Sequence, residues 1–327
     1  MCTRNRLFAQ LIRLVDLIPE PPPPSKRRRG RPLVYPDRLF LKVLVFMILR
    51  RLYRVHEVFS VLSRQDAEAA ELRTLFFPQG KLPARRTFER RLKRLPQTLP
   101  AQITCLGHHL VQLYRPWDRS ARAVAADSTA LRARGAPWHM KSRLRGEVPN
   151  TSIDTEAHWT RSGWHGWVYG WKLHLIVTVA SVWIPLSARL RPANEADNVV
   201  VLPMLEDLPD EVRFVMGDSH YNTVPVRLAC ETAGRTLVAS SRNKCPRTDD
   251  GVSVRRLLHS LRHHTIENFN SLYKNIFDLR RPVPTKGLAN TQRLTLGAVF
   301  VYQLALFARF HEGKFSQDGI KAFLRSA

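Results

Sequence analysis

Three acidic residues stand where the local pattern gives an acid little structural use. In "ARAVAADSTALRA", Ala121 to Ala133, small apolar residues lead up to one carboxylate, Asp127, and the chain then turns polar. "VRFVMGDSHYN" repeats the pattern, with an apolar run that ends on Asp218. A core strand gains nothing from an unpaired Asp, because burying one is costly. Each acid is therefore either a solvated strand end or is aimed at a site. If the two strands lie side by side, the carboxylates converge at one edge. Like charges that close repel, so such a pair is usually kept to hold a cation. "HHTIENFNSLYK" supplies a third acid, Glu267, on a helical segment where Ile266, Phe269 and Tyr273 are available to pack against a sheet. Hard oxygen ligands on a rigid scaffold suit Mg²⁺, with a phosphate group filling the remaining positions.

The elements that must position these acids are legible from Ala121 onward. Short β-rich runs recur: "RAVAA", "VYGWKLHLIVTVAS", "WIPLSARL", "VRFVMG" and "RTLVAS". The pattern predicts that Asp127 ends the first of these strands and Asp218 the fourth. A capped helical segment starting near Asn194 separates the third from the fourth. "TVPVRLACETAG", ending on Gly234, separates the fourth from the fifth. A long helical segment from about Val254 to Arg280 follows. Three consecutive strands suggest hairpins, and the later alternation suggests parallel crossovers. The order fits an α/β fold with a mixed five-strand sheet flanked by helices on both faces.

The first third of the chain is different. "RLFAQLIRLVDLI" has helical periodicity, and "PEPPPPSKRRRGRP" is an extended, basic linker spanning about residues 19–36. Its Arg29-Gly30-Arg31-Pro32 core resembles an AT-hook, whose flat backbone lets Arg side chains reach the floor of a narrow minor groove. The competing reading is a solvated linker whose Arg29 and Arg31 touch only phosphates. Two apolar-faced helices start near Pro36. "PARRTFERRLKRLP" then places Phe88, Leu92 and Leu95 on a buried stripe. Lys81, Arg85, Arg86, Arg90, Arg91, Lys93 and Arg94 cover the rest, against the single acid Glu89. This all-α basic region reads as a helix-turn-helix-like DNA contact through Arg86, Arg90 and Arg91, or as a solvated basic helix.

Composition narrows the partners. The 327 residues hold 52 Lys and Arg against 27 Asp and Glu, a formal net charge of +25. A chain this basic expects a polyanion, most commonly nucleic acid. The four cysteines, Cys2, Cys105, Cys230 and Cys245, form no CxxC pair, which argues against a structural zinc site or a disulfide scaffold. The apolar runs "LKVLVFMIL" and "GAVFVYQLALFA" fall short of the roughly 20 residues of a membrane span and read as buried helices. With no signal-peptide pattern, a cytoplasmic setting is expected.

Taken in order, "AADST", "GWVYGWKLHL", "RPANEADN", "MGDSHYN" and "IENFNSLYK" resemble the DDE transposases of bacterial insertion sequences, and the resemblance covers essentially the whole chain. It implies a ribonuclease H-like fold with Asp127, Asp218 and Glu267 as the catalytic triad and metal ligands. One departure stands out. The family's third segment often reads Tyr-x2-Arg-x3-Glu-x6-Lys. Here Glu267 and Lys274 keep the last spacing, but His263 occupies the Arg position and Ser260 the Tyr position, with Arg262 one residue away.

The resemblance further implies two Mg²⁺ ions, replaceable by Mn²⁺, with Asp127 bridging both and Asp218 and Glu267 each holding one. In-line displacement at DNA phosphorus then cuts the element end and joins it to target DNA, with no Ser or Tyr nucleophile. Lys172 and Lys274 are candidate phosphate contacts, or ordinary exposed lysines. His220 and Tyr221 either touch the scissile region or pack the loop. The tryptophans of "HWTRSGWHGWVYGW" either stack on an unpaired base or pack a hairpin. Asp154 and Glu156 read as polar loop residues without a partner, and Asp197 as a helix-start cap. The expected organisation is a DNA-binding region over 1–115 and a catalytic region over 116–327, working on double-stranded DNA as a homodimer. The apolar helix near the C-terminus either packs on the sheet or forms that dimer's interface. Two other functions fit the same residues: a non-catalytic DNA-binding regulator and a structure-specific nuclease.

Overall fold

The computed structural model describes residues 6–22, 35–116, 122–163, 166–240, 257 and 260–327. Arg29 and Arg31 lie outside the described residues, as does most of the proline-rich linker.

Among the described residues six strands form one sheet: β1 (Ala123–Arg132), β2 (His158–Ser162), β3 (Gly166–Thr178), β4 (Pro185–Pro192), β5 (Phe214–Gly217) and β6 (Thr236–Ala239). The order is β2-β3-β1-β5-β6, with β4 also on β3. β1, β3 and β4 are antiparallel, whereas β5 joins β1 and β6 joins β5 in parallel. Parallel neighbours need crossovers. The helices α7 (Asp197–Leu205) and α8 (Val224–Thr232) provide them. The series β4-β3-β1-β5-β6 is the ribonuclease H-like five-strand arrangement that the resemblance implies.

Two expectations need correction. The sheet has a sixth strand, β2, which pairs with Gly166–Gly170 of β3 while β4 pairs with the stretch beyond it. "HWTRS" has no apolar run to announce a strand, and the hairpin to β3 holds it in place. Asp127 also does not end β1, which runs five residues further to Arg132. Those residues stay extended because β3 is long enough to pair with them as far as Gly170. Gly170 permits the close approach at that end, since a Cβ there would overlap the Leu131 carbonyl oxygen.

The N-terminal helices are α1 (Arg6–Leu14), α2 (Asp37–Leu49), α3 (Val55–Leu62), α4 (Ala67–Phe76) and α5 (Arg85–Tyr114), and the short α6 (Met140–Leu144) lies between β1 and β2. Phe40, Phe76, Phe77 and Phe88 knit α2, α4 and α5 into one aromatic cluster. α5 continues through Pro96 and Pro100. Its second half is held by burial: Leu99, Ile103, Leu106 and Leu110 are all fully buried. They pack against β4 and the long helix α10 (Leu288–His311). Gly107 lets α5 lie tight on the sheet, because a Cβ there would come within 2.5 Å of the Pro185 carbonyl oxygen.

Gln303 of α10 bridges both neighbours, donating to Ile103 O at 2.8 Å and to Pro185 O at 2.7 Å. α10 is long and apolar enough to cross a membrane by length and composition alone, but it is buried against the sheet and the N-terminal helices. Residue 115, the expected boundary, follows the last residue of α5, whose first half carries the exposed Arg86 and Arg90. Asp154 and Glu156 are not idle loop residues. They accept hydrogen bonds from the backbone N–H groups of Gly287 and Leu288 and cap α10, where negative charge is favourable.

Candidate active site: a carboxylate-lined cleft

β1 and β5 pair in the register Val124 with Val215 and Ala125 with Met216. Continued by two residues, that register sets Asp127 beside Asp218. β5 ends at Gly217, so Asp218 leaves the sheet just where Asp127 faces an open strand edge. After Gly234, whose positive φ of 65° ends α8's turn, β6 completes this side of the sheet. Glu267 arrives on a different element. A π turn over His263–Glu267 leads into α9 (Asn268–Ile276). Ile266, Phe269 and Tyr273 are fully buried and fix that helix to the core, as their spacing predicts. All three acids open into one cleft of about 1350 Å³.

Each carboxylate has a neighbour bonded to it. Asn270 of α9 donates to Asp127 Oδ2 at 3.1 Å. The His220 backbone N–H donates to Asp218 Oδ1 at 2.8 Å, and its Nδ1 lies 3.1 Å from Oδ2. Arg262 Nη2 lies 3.1 Å from Glu267 Oε1, and His263 Nδ1 lies 2.7 Å from Oε2. Burial pushes the Asp127 carboxyl up to about 7. The Arg262 guanidinium and the Ser128 backbone N–H pull it back, while Asp218 and Glu267 add to the rise. The acids therefore feel one another. Among the described residues no three His, Cys, Asp or Glu side chains are gathered closely enough, as placed, to hold a metal ion. The donor set fits a hard divalent cation in kind: three carboxylates, all oxygen, in a polar cleft.

The other sequence-selected residues divide. Lys172 and Lys274 line the cleft but are not free cations. Lys172 pairs with Asp197 at 3.1 Å, and Lys274 donates to the Ala130 carbonyl at 3.0 Å. Burial holds the Lys274 ammonium below its usual range, with Asp127 opposing that shift. Asp197 is the first residue of α7 and spends its carboxylate on Lys172, so it is an ion-pair partner rather than a cap. Tyr221 is buried with its ring against Gly217, which is the loop-packing alternative. His220 is exposed beside Asp218. Trp171 is fully buried, and Trp159 packs on Tyr169 at 5.3 Å, whereas Trp167 is 68% exposed.

On the basic helix, Arg86 and Arg90 face solvent. Arg91 does not, which corrects its expected place on DNA. It is 5% exposed, pairs with Asp37 at 2.6 Å and donates to Tyr35 O at 2.8 Å. Its guanidinium lies over the Phe40 ring. Arg132, Arg161 and Arg280 line the cleft and are exposed, yet sequence reasoning passed over them. Among 52 Lys and Arg, nothing local marks these three. Asn270 was also missed, although it lies three residues after Glu267, one helical turn away.

No curated protein matches the chain. Several solved structures resemble it at low scores. A piggyBac transposase synaptic complex with hairpin DNA aligns over 96% of this chain and 74% of its own, at 9% identity and a TM-score of 0.38. A Mos1 transposase paired-end complex with the left transposon end aligns over 86% and 81%, at 13% identity and a TM-score of 0.24. A Mos1 mariner paired-end complex with Mn aligns over 86% and 81%, at 15% identity and a TM-score of 0.22. The sequence match decides the family. The model of the transposase DDE domain matches residues 118–304, more than half of the chain and all three acids of the cleft, and the protein belongs to that family.

Proposed function

We propose that the protein is a DNA transposase that cleaves DNA at the ends of its element and joins those ends to target DNA. The observation that supports this best is the convergence of Asp127, Asp218 and Glu267, from three separate elements, on one cleft with a basic rim. A net charge of +25 favours a polyanionic substrate.

Asp127, Asp218 and Glu267 would hold the divalent cations, Mg²⁺ or Mn²⁺, which supply Lewis-acid activation for in-line displacement at phosphorus. The rest is done by the chain's own residues. β1 and β5, paired by backbone bonds, are a rigid mount for the two aspartates. Asn270 fixes one oxygen of Asp127 and so orients the other. Arg132, Arg161 and Arg280 hold the phosphate backbone at the mouth of the cleft. Lys274 and Lys172 brace the walls through Ala130 and Asp197 rather than meeting DNA directly. Arg86 and Arg90 extend the basic surface onto the N-terminal helices and contribute to finding the element ends. Two protomers acting together would bring two ends into one complex.

The test is a plasmid carrying the DNA that flanks the gene on both sides, incubated with the protein and Mg²⁺, Mn²⁺, Ca²⁺ or a chelator. The reading expects cut ends and joined products with Mg²⁺ or Mn²⁺, binding with little cutting in Ca²⁺, and no cutting in chelator. Cutting without joining would make the protein a nuclease of the same fold. Binding without cutting in every metal would make it a regulator.

A further inference from the structure

The helix that delivers Glu267 is irregular at the point of delivery. His263–Glu267 form a π turn, in which backbone bonds span five residues instead of four. In a regular α-helix, a residue five positions earlier lies about 140° round the axis, on the far face. In the π turn it lies beside its partner. Arg262 is five residues before Glu267, and its Nη2 lies 3.1 Å from Glu267 Oε1. The same turn keeps His263, four residues before, against Oε2 at 2.7 Å. Arg262 lines the cleft and its side chain is only 11% exposed, whereas His263 is 53% exposed.

We propose that the π turn makes Arg262 the built-in counter-ion of the acid cluster, a positioning residue that holds Glu267 in the metal-free protein and gives it up when a divalent cation enters. The inference rests on the reading that the three acids take such cations. Three carboxylates in one partly buried cleft repel one another, and a guanidinium among them offsets that repulsion. Arg262 also favours the charged form of Asp127, so its field reaches a second acid of the site. A cation arriving at Glu267 competes with a charge already bonded there. Because Arg262 is sheltered from water and His263 is not, the competition belongs mainly to Arg262.

The experiment is Mn²⁺ binding to the full chain without DNA, by calorimetry and by electron paramagnetic resonance of free Mn²⁺, at one fixed pH. R262Q removes the charge, R262K keeps it, and H263Q is the exposed control. R262M replaces R262Q if R262Q does not fold, as judged by circular dichroism and thermal melting. The expected result is Mn²⁺ binding about tenfold tighter in R262Q, with R262K and H263Q within about threefold of the unaltered protein. A side chain that merely supported Glu267 would give the opposite sign, weaker binding in R262Q. Equal or weaker binding in the charge-free variant therefore overturns the inference while leaving the proposed function intact. If the unaltered protein bound no Mn²⁺ and cut no DNA, the proposed function would fall and take the inference with it.

Discussion

Arg91→Ala should unfold the protein more readily without changing how it holds DNA, although Arg91 sits among the most basic residues of the chain. The guanidinium is 5% exposed, makes a 2.6 Å ion pair with Asp37 and a 2.8 Å bond to Tyr35 O, and lies over Phe40. A hydrogen bond to a charged group is worth about 1.5–3 kcal/mol. Asp37 is 45% exposed and regains water when its partner is lost, which discounts the pair. The lost stem contacts with the aromatic cluster add back some of that. The net loss is then about 2–3 kcal/mol, which lowers Tm by roughly 3–4 °C for a chain of this size. Arg86 and Arg90 are exposed on the same helix, and their joint replacement by Ala should leave Tm within about 1 °C. The DNA result should be the reverse. On a duplex carrying the gene's flanking DNA, the Arg86/Arg90 double variant should lower the slope of log K against log salt by about two, and Arg91→Ala should leave it unchanged. Urea or thermal melting and a salt titration of binding decide the matter. If Arg91→Ala flattened the salt slope and left Tm alone, the assignment of inner and outer arginines on this helix would be wrong.

Other parts of the fold make claims of their own. Burial pushes His174 down to about 4, with Asp197 opposing, so the folded protein keeps it neutral where the unfolded chain takes a proton near 6.5. Stability is then full above about pH 6.5 and falls as pH drops toward 4; His174→Leu should remove on the order of 2–3 kcal/mol of that fall, read by urea unfolding at pH 7 and pH 4.5. Asp154→Ala strips a buried acceptor from the Gly287 and Glu156 backbone N–H groups and should destabilise by about 2 kcal/mol, with DNA affinity within about twofold. An unchanged melting curve would mean that α10 needs no cap from this segment.

How much of this was legible in the sequence depends on the range over which the cause acts. Asp127 and Asp218 could be picked out because each follows an apolar run, a purely local cue. Their adjacency could not, since it comes from pairing between strands that start at Ala123 and Phe214. The order of the main strands followed from hairpin spacing and helix alternation, while β2 was invisible because "HWTRS" carries no apolar run and only pairing with β3 makes it a strand. Pro96 and Pro100 would locally end a helix, yet α5 continues because buried residues on both sides outweigh two missing N–H groups. The burial of Arg91 has a local cue. Phe88, Arg91, Leu92 and Leu95 stand at i, i+3, i+4 and i+7, so Arg91 belongs to the apolar stripe itself. Its partner Asp37 is remote in sequence, and only the fold joins them. The shift of Arg262 onto Glu267 depends on a π turn, for which the residues of "RHHTIE" give no known local signal.

In the proposed function one carboxylate-lined cleft performs the chemistry while the basic surface supplies affinity. Its most direct test is single-turnover cleavage of the gene's flanking DNA in Mg²⁺ by Asp127→Asn, Asp218→Asn and Glu267→Gln, with binding of the same duplex measured in parallel. Each substitution should lower cleavage by at least about a thousandfold and leave binding within about tenfold. Cleavage at the unaltered rate in any one of the three would remove that residue from the site and contradict the account.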